Sequence, residues 1–250
     1  MSTTATSSSA PPAAPVTPKK VLDFWFGDDV FGTERMNDES VSSQKAPMWF
    51  GMKSDYSGPV SPSTVSEFDA SILSLFGPSI RAAGSGELES EAEEWTTDEG
   101  VYARMILADQ MSRNAFRGTA EAFAFDGESV RLARVLFERK VHEKYDSPLY
   151  FTFLTTPGQH SEELDDHLMN WAMIEHMERK WDAGRVAMLK RFVVQHKEIV
   201  ERFGRYPWRN GSLGRVSTAE EQAYLDDYDN LPGFAKSQMK DPKASEKSKM

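Results

Sequence analysis

One stretch of the chain repeats apolar residues at the spacing of an α-helix for about five turns, and it constrains the fold more than any other feature. The positions on this seam recur every three or four residues: Val186, Leu189, Val193, Val200 and Phe203. Residues three and four apart share one face of a helix, so the pattern predicts a long helix with one buried side. Gly204 follows the seam and predicts where the helix ends. His196 lies on the same seam and is interpreted as a buried histidine with a hydrogen-bond partner.

Segments with the same periodicity cover most of the remaining chain. An aromatic helix is predicted at residues 21–27, and a longer helix at residues 63–83, which Pro78 is expected to kink or split. Further helices are expected to begin near residues of capping type: Thr96, Thr119, Ser147, Ser161 and Ser217. Two of these positions, in the runs TTDE and STAE, have the spacing of a capping box.

The run LYFTFL, which follows Pro148, alternates apolar residues and therefore also fits a β-strand. A helix is favoured because no partner strand is recognisable elsewhere in the sequence. The chain is therefore predicted to be all-α, with a single domain of about eight mostly antiparallel helices joined by short loops.

The composition changes near both ends of the sequence. Residues 1–19 contain no acid and are rich in Ser, Thr, Ala and Pro, while residues 232–250 are rich in Lys and Ser. Both segments have little to bury, so they are predicted to be disordered tails that flank a helical domain at residues 20–231. A transit peptide is the alternative for the first tail, but that segment has no arginine and no apolar face at helical spacing.

Several classes of protein are excluded or disfavoured by the composition. The absence of cysteine excludes disulfides, Cys-ligated zinc and a cysteine nucleophile. The net charge of −10 opposes broad binding to nucleic acid or to anionic membranes, and no apolar run reaches the length of a membrane-spanning helix. The common phosphate-loop, dinucleotide and metalloprotease motifs are also missing. We therefore expect a cytoplasmic protein with no cofactor and no bound metal.

The first candidate site is the segment RFGRYPWRNGSLGR at residues 202–215. Its four arginines, with no acid between them, are Arg202, Arg205, Arg209 and Arg215. Planar guanidinium groups at this density are suited to holding an anionic group, either from a ligand or from the chain itself. Trp208 could stack on an arginine or on the ring of a ligand, and Asn210 could orient it. The alternative is that the arginines bond the carbonyl ends of helices.

The second candidate site is DQMSRNAFRG, which begins at Asp109. Its polar residues are Asp109, Gln110, Arg113, Asn114 and Arg117. Two arginines and an amide at the end of one helix, just before the next begins, could bind a carboxylate or a phosphate. The alternative is an Asp109–Arg113 pair within the helix, with Arg117 bonding carbonyl groups at its end.

The third candidate site is HSEELDDH, which runs from His160 to His167. The two histidines are about 10 Å apart along a helix, too far to bind one metal ion together. His160 is instead expected to act as an acid, a base or a hydrogen-bond donor, oriented by Glu162 or Glu163. The alternative is that Ser161 caps a long helix that reaches Gly184, with the acids complementing its dipole.

Five segments occur in the same order as in a known family: VLDFWFG, WF at 49–50, DQMSRNAFRGTAEAFAFD, HSEEL and RFGRYPWRNGSLGRVSTAEE. On these motifs the chain resembles the family called domain of unknown function 924, over about residues 21–225. The positions that match the family motifs are Asp109, Gln110, Arg113, Asn114, Arg117, His160, Ser161, Glu162, Arg202, Arg205, Arg209, Asn210 and Arg215.

The resemblance implies an all-helical protein of the tetratricopeptide-like superfamily, with stacked helix pairs and a concave face. The activity of the family is not established. The chain departs from motifs that are frequent in the family: it has Met111 and Ser112 within D-Q-F-P-R-N, and TPGQ before HSE where P-L-M is frequent. It also has Trp208 where F-P-H-R-N carries histidine, which removes a proton carrier at that position.

We expect the three polar segments to converge on one cleft that binds an anionic small molecule or a peptide carboxylate. A second hypothesis is a metal-independent hydrolase or lyase in which His160 is the general acid or base, assisted by Glu162 and an arginine clamp. A third hypothesis is a scaffold that binds a protein partner through a concave helical face. Nucleic acid is an unlikely partner because of the net charge.

Overall fold

The computed structural model describes residues 15–55, 57–145 and 147–239, and its regular structure is helical. The helices are α1 (Pro18–Phe26), α2 (Glu39–Phe50), α3 (Pro62–Ser85), α4 (Leu88–Glu91), α5 (Asp98–Ile106), α6 (Ser112–Ala115), α7 (Asp126–Glu138), α8 (Pro148–His160), α9 (Leu164–Lys180), α10 (Ala183–Phe203), α11 (Ala219–Asp226) and α12 (Gly233–Lys236). Single 3₁₀ turns lie at Glu34–Asn37, Glu93–Thr96, Ala120–Phe123, Val141–Glu143, Pro207–Arg209 and Tyr228–Asn230, and a π-helical turn at Leu107–Met111.

Nine of these helices have eight residues or more. The prediction of one all-α domain with about eight helices is therefore confirmed. The described residues contain no β-strand, and the LYFTFL run lies in α8. No helix in the described part of the chain is long and apolar enough to cross a membrane. The tetratricopeptide-like stacking of helix pairs stays a prediction.

Both predicted N-caps lie one residue later than the sequence pattern suggests, and at α5 the predicted capping box does not form because Gly100 occupies the third helical position. Thr97, not Thr96, precedes α5, and its hydroxyl accepts a hydrogen bond of 3.0 Å from the backbone N–H of Gly100. At α11 the reciprocal bonds join Thr218 and Glu221, not Ser217 and Glu220. Where two hydroxyl residues are adjacent, the sequence does not show which of them is the N-cap, and the hydrogen-bond geometry identifies it.

Two further helix boundaries differ from the predictions. Pro78 does not split α3, because Phe76 and Ile80 are buried on either side of it and hold both halves against the core. The predicted helix from Ser161 to Gly184 is shorter at both ends. Ser161 terminates α8, and its hydroxyl accepts a hydrogen bond from the backbone N–H of Glu163 ahead of α9.

The folded part of the chain extends beyond residues 20–231 at both ends. Helix α1 begins at Pro18 because the hydroxyl of Thr17 caps it, and Val16 packs against the core. At the other end Ala235 is fully buried and Phe234 packs on the same cluster, so the chain stays ordered past Leu231. The rest of the two predicted tails, residues 1–14 and 240–250, lies outside the described residues.

Two apolar clusters hold the helices together. The larger one is rich in aromatic rings, among them Trp25, Trp49 and Phe153, whose ring centroids lie 5.0–6.1 Å apart. The smaller one joins the end of α10 to the C-terminal segment and contains Tyr206 and Trp208. Helix α8 packs against α7, α9 and α10, and its last residue is His160.

Helices α8 and α9 approach each other closely at Gly158. A Cβ atom at this position would lie 2.7 Å from Oδ1 of Asn170 and 2.9 Å from the backbone oxygen of Asp166. Such distances are shorter than carbon–oxygen contacts in proteins, so only glycine fits here. The close approach places His160, two residues further along, at the junction of the polar segments.

We predict that Gly158→Ala lowers the free energy of unfolding by about 1–3 kcal/mol, the usual cost of overpacking a core position. Gly127→Ala is the matched control, because it is also a helical glycine and no atom lies within 4 Å of the added Cβ. Urea unfolding of both variants checks the prediction. Equal stabilities would contradict it.

Candidate functional site

A break in a helix forms the deepest wall of the site. Between α5 and α6 the backbone forms one π-helical turn, Leu107–Met111, in which Asp109 and Gln110 are buried. A π-turn inserts one extra residue and redirects the side chains that follow, and such turns are frequent at functional sites. Here it brings Asp109 next to the last residue of α8, His160.

A short hydrogen bond joins Asp109 to His160. The Nδ1 atom of His160 lies 2.7 Å from Oδ1 of Asp109, whose side chain is 1% exposed. Oδ2 of Asp109 accepts a bond from the side-chain amide of Gln110, and the guanidinium of Arg113 lies 3.3 Å from Oδ1. The buried carboxylate is therefore compensated from three sides.

The charges around this pair decide which partner carries the proton. Burial alone would raise the pKa of Asp109, but the positive charge of Arg113 and the hydrogen bonds from His160 and Gln110 outweigh burial and lower that pKa. Burial lowers the pKa of His160, the Arg113 charge lowers it further, and Asp109 only partly offsets them. At neutral pH the pair is thus an ionised carboxylate and a neutral imidazole. Nδ1–H of His160 donates to Asp109, which leaves the lone pair on Nε2.

Two arginines share a second carboxylate beside this pair. Asp126, the first residue of α7, accepts a hydrogen bond of 2.9 Å from Arg113 and one of 3.0 Å from Arg209. The guanidinium of Arg209 also lies 4.7 Å from the ring centroids of Phe123 and Tyr206. The Nε–H groups of both arginines are buried without an acceptor among the described residues. Such unpaired donors are costly and favour the entry of an acceptor.

Solvent reaches only part of this cluster. The side chains of His160, Arg113 and Asp126 are 15%, 13% and 17% exposed. Asp109 and Arg209 lie behind them and are almost fully buried. The described residues form no hydrogen bond to Nε2 of His160, and this atom is not one of the buried unpaired nitrogens, so it lies on the accessible side of the partly exposed ring. We call these five residues the His160 cluster.

A second imidazole lies behind His160. The ring centroids of His160 and His196 are 6.2 Å apart, and Nδ1 of His196 is 2.7 Å from the backbone oxygen of Phe192. Burial lowers the pKa of His196 to about 3, so this ring stays neutral. The buried histidine that the sequence pattern indicated therefore has a hydrogen-bond partner, as expected, and the partner is a backbone oxygen.

Other residues of the predicted site lie outside the cluster, each held by an acid of the chain itself. Arg117 and Asn114 both bond to Asp69 of α3. Arg205 makes two bonds to Glu221, which also accepts from Asn210. The arginines at these positions thus neutralise internal carboxylates.

Arg215 and Glu162 link the segment at residues 202–215 to the segment that follows His160. Arg215 makes two hydrogen bonds to Glu162, and that carboxylate also accepts from the backbone N–H of Tyr206. Burial alone would raise the pKa of Glu162, but its bonds from Arg215 and Tyr206 outweigh burial and lower it. Trp208 is buried against Tyr206 and Phe234, so its ring faces the smaller core and not a ligand.

The expected partner of His160 is therefore corrected. Glu162 points to the arginine segment, and Asp109 orients the imidazole instead, although it lies 51 positions away in the sequence. Sequence reasoning also missed Asp126. The acid stands at the end of the run EAFAFD, inside a family-like motif, and its position after a turn was the available signal.

Two surface depressions lie apart from the cluster. One is lined by Glu162, Leu164, Val200 and Gly204 among others, and the second lies between α7 and α9. Among the described residues no group of three or more His, Cys, Asp or Glu side chains could hold a metal ion.

Comparison with known proteins places the chain among uncharacterised relatives. Residues 21–229 match the family model described as bacterial protein of unknown function (DUF924). A solved structure of a protein of unknown function, ATU0120 from Agrobacterium tumefaciens, is similar with a TM-score of 0.53 and 30% identity. The similarity covers 65% of this chain and 85% of the other. No curated protein matches the sequence.

The histidines predict how stability depends on pH. All five have pKa values below the ordinary value, chiefly because of burial: His142, His160, His167, His176 and His196. The unfolded chain therefore binds protons below about pH 6.5 that the folded chain does not. The contribution of these histidines to the free energy of unfolding is full above that pH and is lost as the pH falls.

Between about pH 6.5 and pH 5 the free energy of unfolding should fall less steeply for His196→Gln than for the wild type. The difference in slope should be up to about 1.4 kcal/mol per pH unit. The reason is that one imidazole, with a folded pKa of about 3, no longer contributes. Urea unfolding at several pH values in this window measures the slope. An unchanged slope would mean that His196 titrates alike in the folded and unfolded states.

Proposed function

The chain belongs to the DUF924 family, and we propose that it is an enzyme that moves a proton on a small anionic substrate, with His160 as the general acid or base. One observation carries this proposal. Nδ1 of His160 lies 2.7 Å from Oδ1 of the buried Asp109 carboxylate, and Nε2 has no hydrogen-bond partner among the described residues. An imidazole that only fills space would not need a buried carboxylate to set its tautomer.

The partner of His160 supports proton transfer in two ways. The hydrogen bond fixes the orientation of the ring, so that Nε2 stays available as a base. When Nε2 takes up a proton, the imidazolium is stabilised by the negative charge of Asp109. The lowered pKa of His160 keeps the ring neutral at physiological pH, which is the state a general base requires.

The two arginines support an anionic substrate. The positive charges of Arg113 and Arg209 lie close enough to His160 to lower its pKa, and both arginines donate to Asp126. Arg113 also lies 3.3 Å from the Asp109 carboxylate. Each arginine leaves its Nε–H without an acceptor among the described residues. A carboxylate or phosphate group beside Asp126 would supply acceptors and would fix the substrate next to Nε2. The same guanidinium groups could stabilise negative charge that develops in the reaction.

The chemistry that fits this arrangement is hydrolysis or elimination. In hydrolysis Nε2 takes a proton from an attacking water and returns it to the leaving group. In elimination it takes a proton from the carbon next to the substrate carboxylate and returns it to the hydroxyl group that leaves the adjacent carbon as the double bond forms. Capture of an anion without turnover is the less favoured function, because most predicted anion-binding arginines are already paired with acids of the chain. A cytoplasmic location belongs to the same proposal.

We predict measurable turnover with small anionic substrates and its loss in His160→Gln. The probes are the half-ester of p-nitrophenol with succinate, p-nitrophenyl phosphate and malate, which report hydrolysis of a carboxylic ester, hydrolysis of a phosphate ester and elimination of water. His160→Gln is expected to lower kcat/KM at least about a hundredfold, the usual contribution of a general base. Asp109→Asn should lower kcat more than it changes KM, because the variant no longer fixes the tautomer of His160 and leaves the groups that bind the substrate in place.

His176→Gln is the control, because this half-buried histidine lies in the separate depression between α7 and α9. Its kinetics should equal those of the wild type. Circular dichroism and the melting temperature establish that each variant is folded. Rates equal to those in buffer for all three probes, or full activity in His160→Gln, would overturn the proposal.

A further inference from the structure

The solvent face of α9 carries a row of large apolar side chains. Leu164, Leu168 and Trp171 are 44%, 60% and 37% exposed, and their spacing places them on one side of the helix. Single exposed apolar residues are common, but a contiguous row on one helix marks a contact surface. Trp171 is only partly covered, by the ammonium group of Lys190 at 5.2 Å.

A cavity of about 450 Å³ opens on the other half of the same face. The side from α9 is lined by Ala172, Glu175, His176 and Arg179, and the opposite side by Phe137, Glu138, Lys140, His142 and Glu143. Ala172 lies one turn after Leu168, and Arg179 lies three turns after it, so these three residues share one side of the helix. The helix thus presents protruding side chains in its first half and a recess in its second half.

The protruding half and the recessed half of α9 lie at equal distances from the centre of the helix. α9 runs from Leu164 to Lys180, so its midpoint is Ala172, an exposed residue with a small side chain. Leu168 and His176 each lie four residues from that midpoint. If two α9 helices lie antiparallel with their Ala172 residues in contact, Leu168 of one copy faces the recess at His176 of the other. A small residue at the centre permits the close approach that this packing needs.

The charges on α9 fit the same arrangement. Asp165 and Arg179 are both exposed and lie seven residues on either side of Ala172. In the antiparallel pair Asp165 of one copy faces Arg179 of the other, and the contact occurs twice. A parallel pair would instead place Asp165 against Asp165 and Arg179 against Arg179, with repulsion at both ends. The charge pattern therefore selects the twofold antiparallel arrangement.

We propose that the protein forms a twofold symmetric dimer through α9, with Ala172 on the symmetry axis and Leu168 inserted into the recess of the partner copy. The interface is isologous, so one surface supplies both the protruding and the receiving part. The occupant of the apolar row is a second copy of this chain. The inference uses no residue of the His160 cluster and stands apart from the proposed function.

The first test uses the absence of cysteine from the chain. Ala172→Cys introduces a single thiol at the proposed axis, where the two Cβ atoms of an antiparallel pair come close enough for a disulfide. Mild oxidation of the full chain should give a covalent dimer of about twice 28.2 kDa on a non-reducing gel. Val216→Cys is the matched control, because residue 216 is 88% exposed and lies on another part of the chain. It should remain a monomer on the same gel.

Exchanging the charges of Asp165 and Arg179 distinguishes this interface from any other dimer contact. Light scattering over a wide range of concentration should show a wild-type dimer that Leu168→Glu and Asp165→Arg each convert to a monomer. The double variant Asp165→Arg, Arg179→Asp should restore the dimer, because the opposite charges face each other again. Circular dichroism shows whether each variant is folded.

Three results would overturn the proposal. They are a monomeric wild type at all concentrations, a dimer that survives Leu168→Glu, and equal crosslinking of the two cysteine variants. The charge-exchange variant keeps the test decisive if Leu168→Glu fails to fold.

Discussion

The buried negative charge of Asp109 is the constraint on which the arrangement of the polar segments depends. An isolated carboxylate in a protein interior is unstable, so the chain must bring hydrogen-bond donors and positive charge to it. The donors come from the end of α8 through His160, from the π-turn through Gln110, and from the next turn through Arg113. Loss of one partner of such a set usually costs about 3–5 kcal/mol, which is why these elements stay together.

A chain of alternating charges connects this carboxylate to the C-terminal segment. Arg113 lies between Asp109 and Asp126, and Arg209 bonds Asp126 from the other side. Tyr206 packs against the Arg209 guanidinium, and its hydroxyl donates to the backbone oxygen of Gln159, next to His160. The His160 imidazole is therefore positioned from two sides. The smaller apolar cluster acts through Tyr206, and the π-turn, which belongs to the larger cluster, acts through Asp109. Only the polar groups at the surface of this network are available for chemistry.

The sequence predicted the helices well, because apolar spacing and capping residues are local signals. It also identified most polar residues that meet, but not their partners. The sequence pairs His160 with a near neighbour, Glu162 or Glu163, whereas the partner is Asp109. A π-turn redirects the Asp109 side chain, and such a turn leaves no mark in the apolar spacing. Trp208 was read as a stacking platform, although burial depends on how distant segments pack. Asp126 was missed since nothing local distinguishes it from an ordinary helix-start acid.

The state of the His160 imidazole is the most direct test of this account, and ¹⁵N NMR of the two ring nitrogens measures it. The signal is assigned by its absence in His160→Gln. The account predicts a neutral ring at about pH 7, with Nδ1 protonated and Nε2 bare, and a change of tautomer population in Asp109→Asn. A ring that is protonated on both nitrogens at this pH, or one that carries its only proton on Nε2, would contradict it.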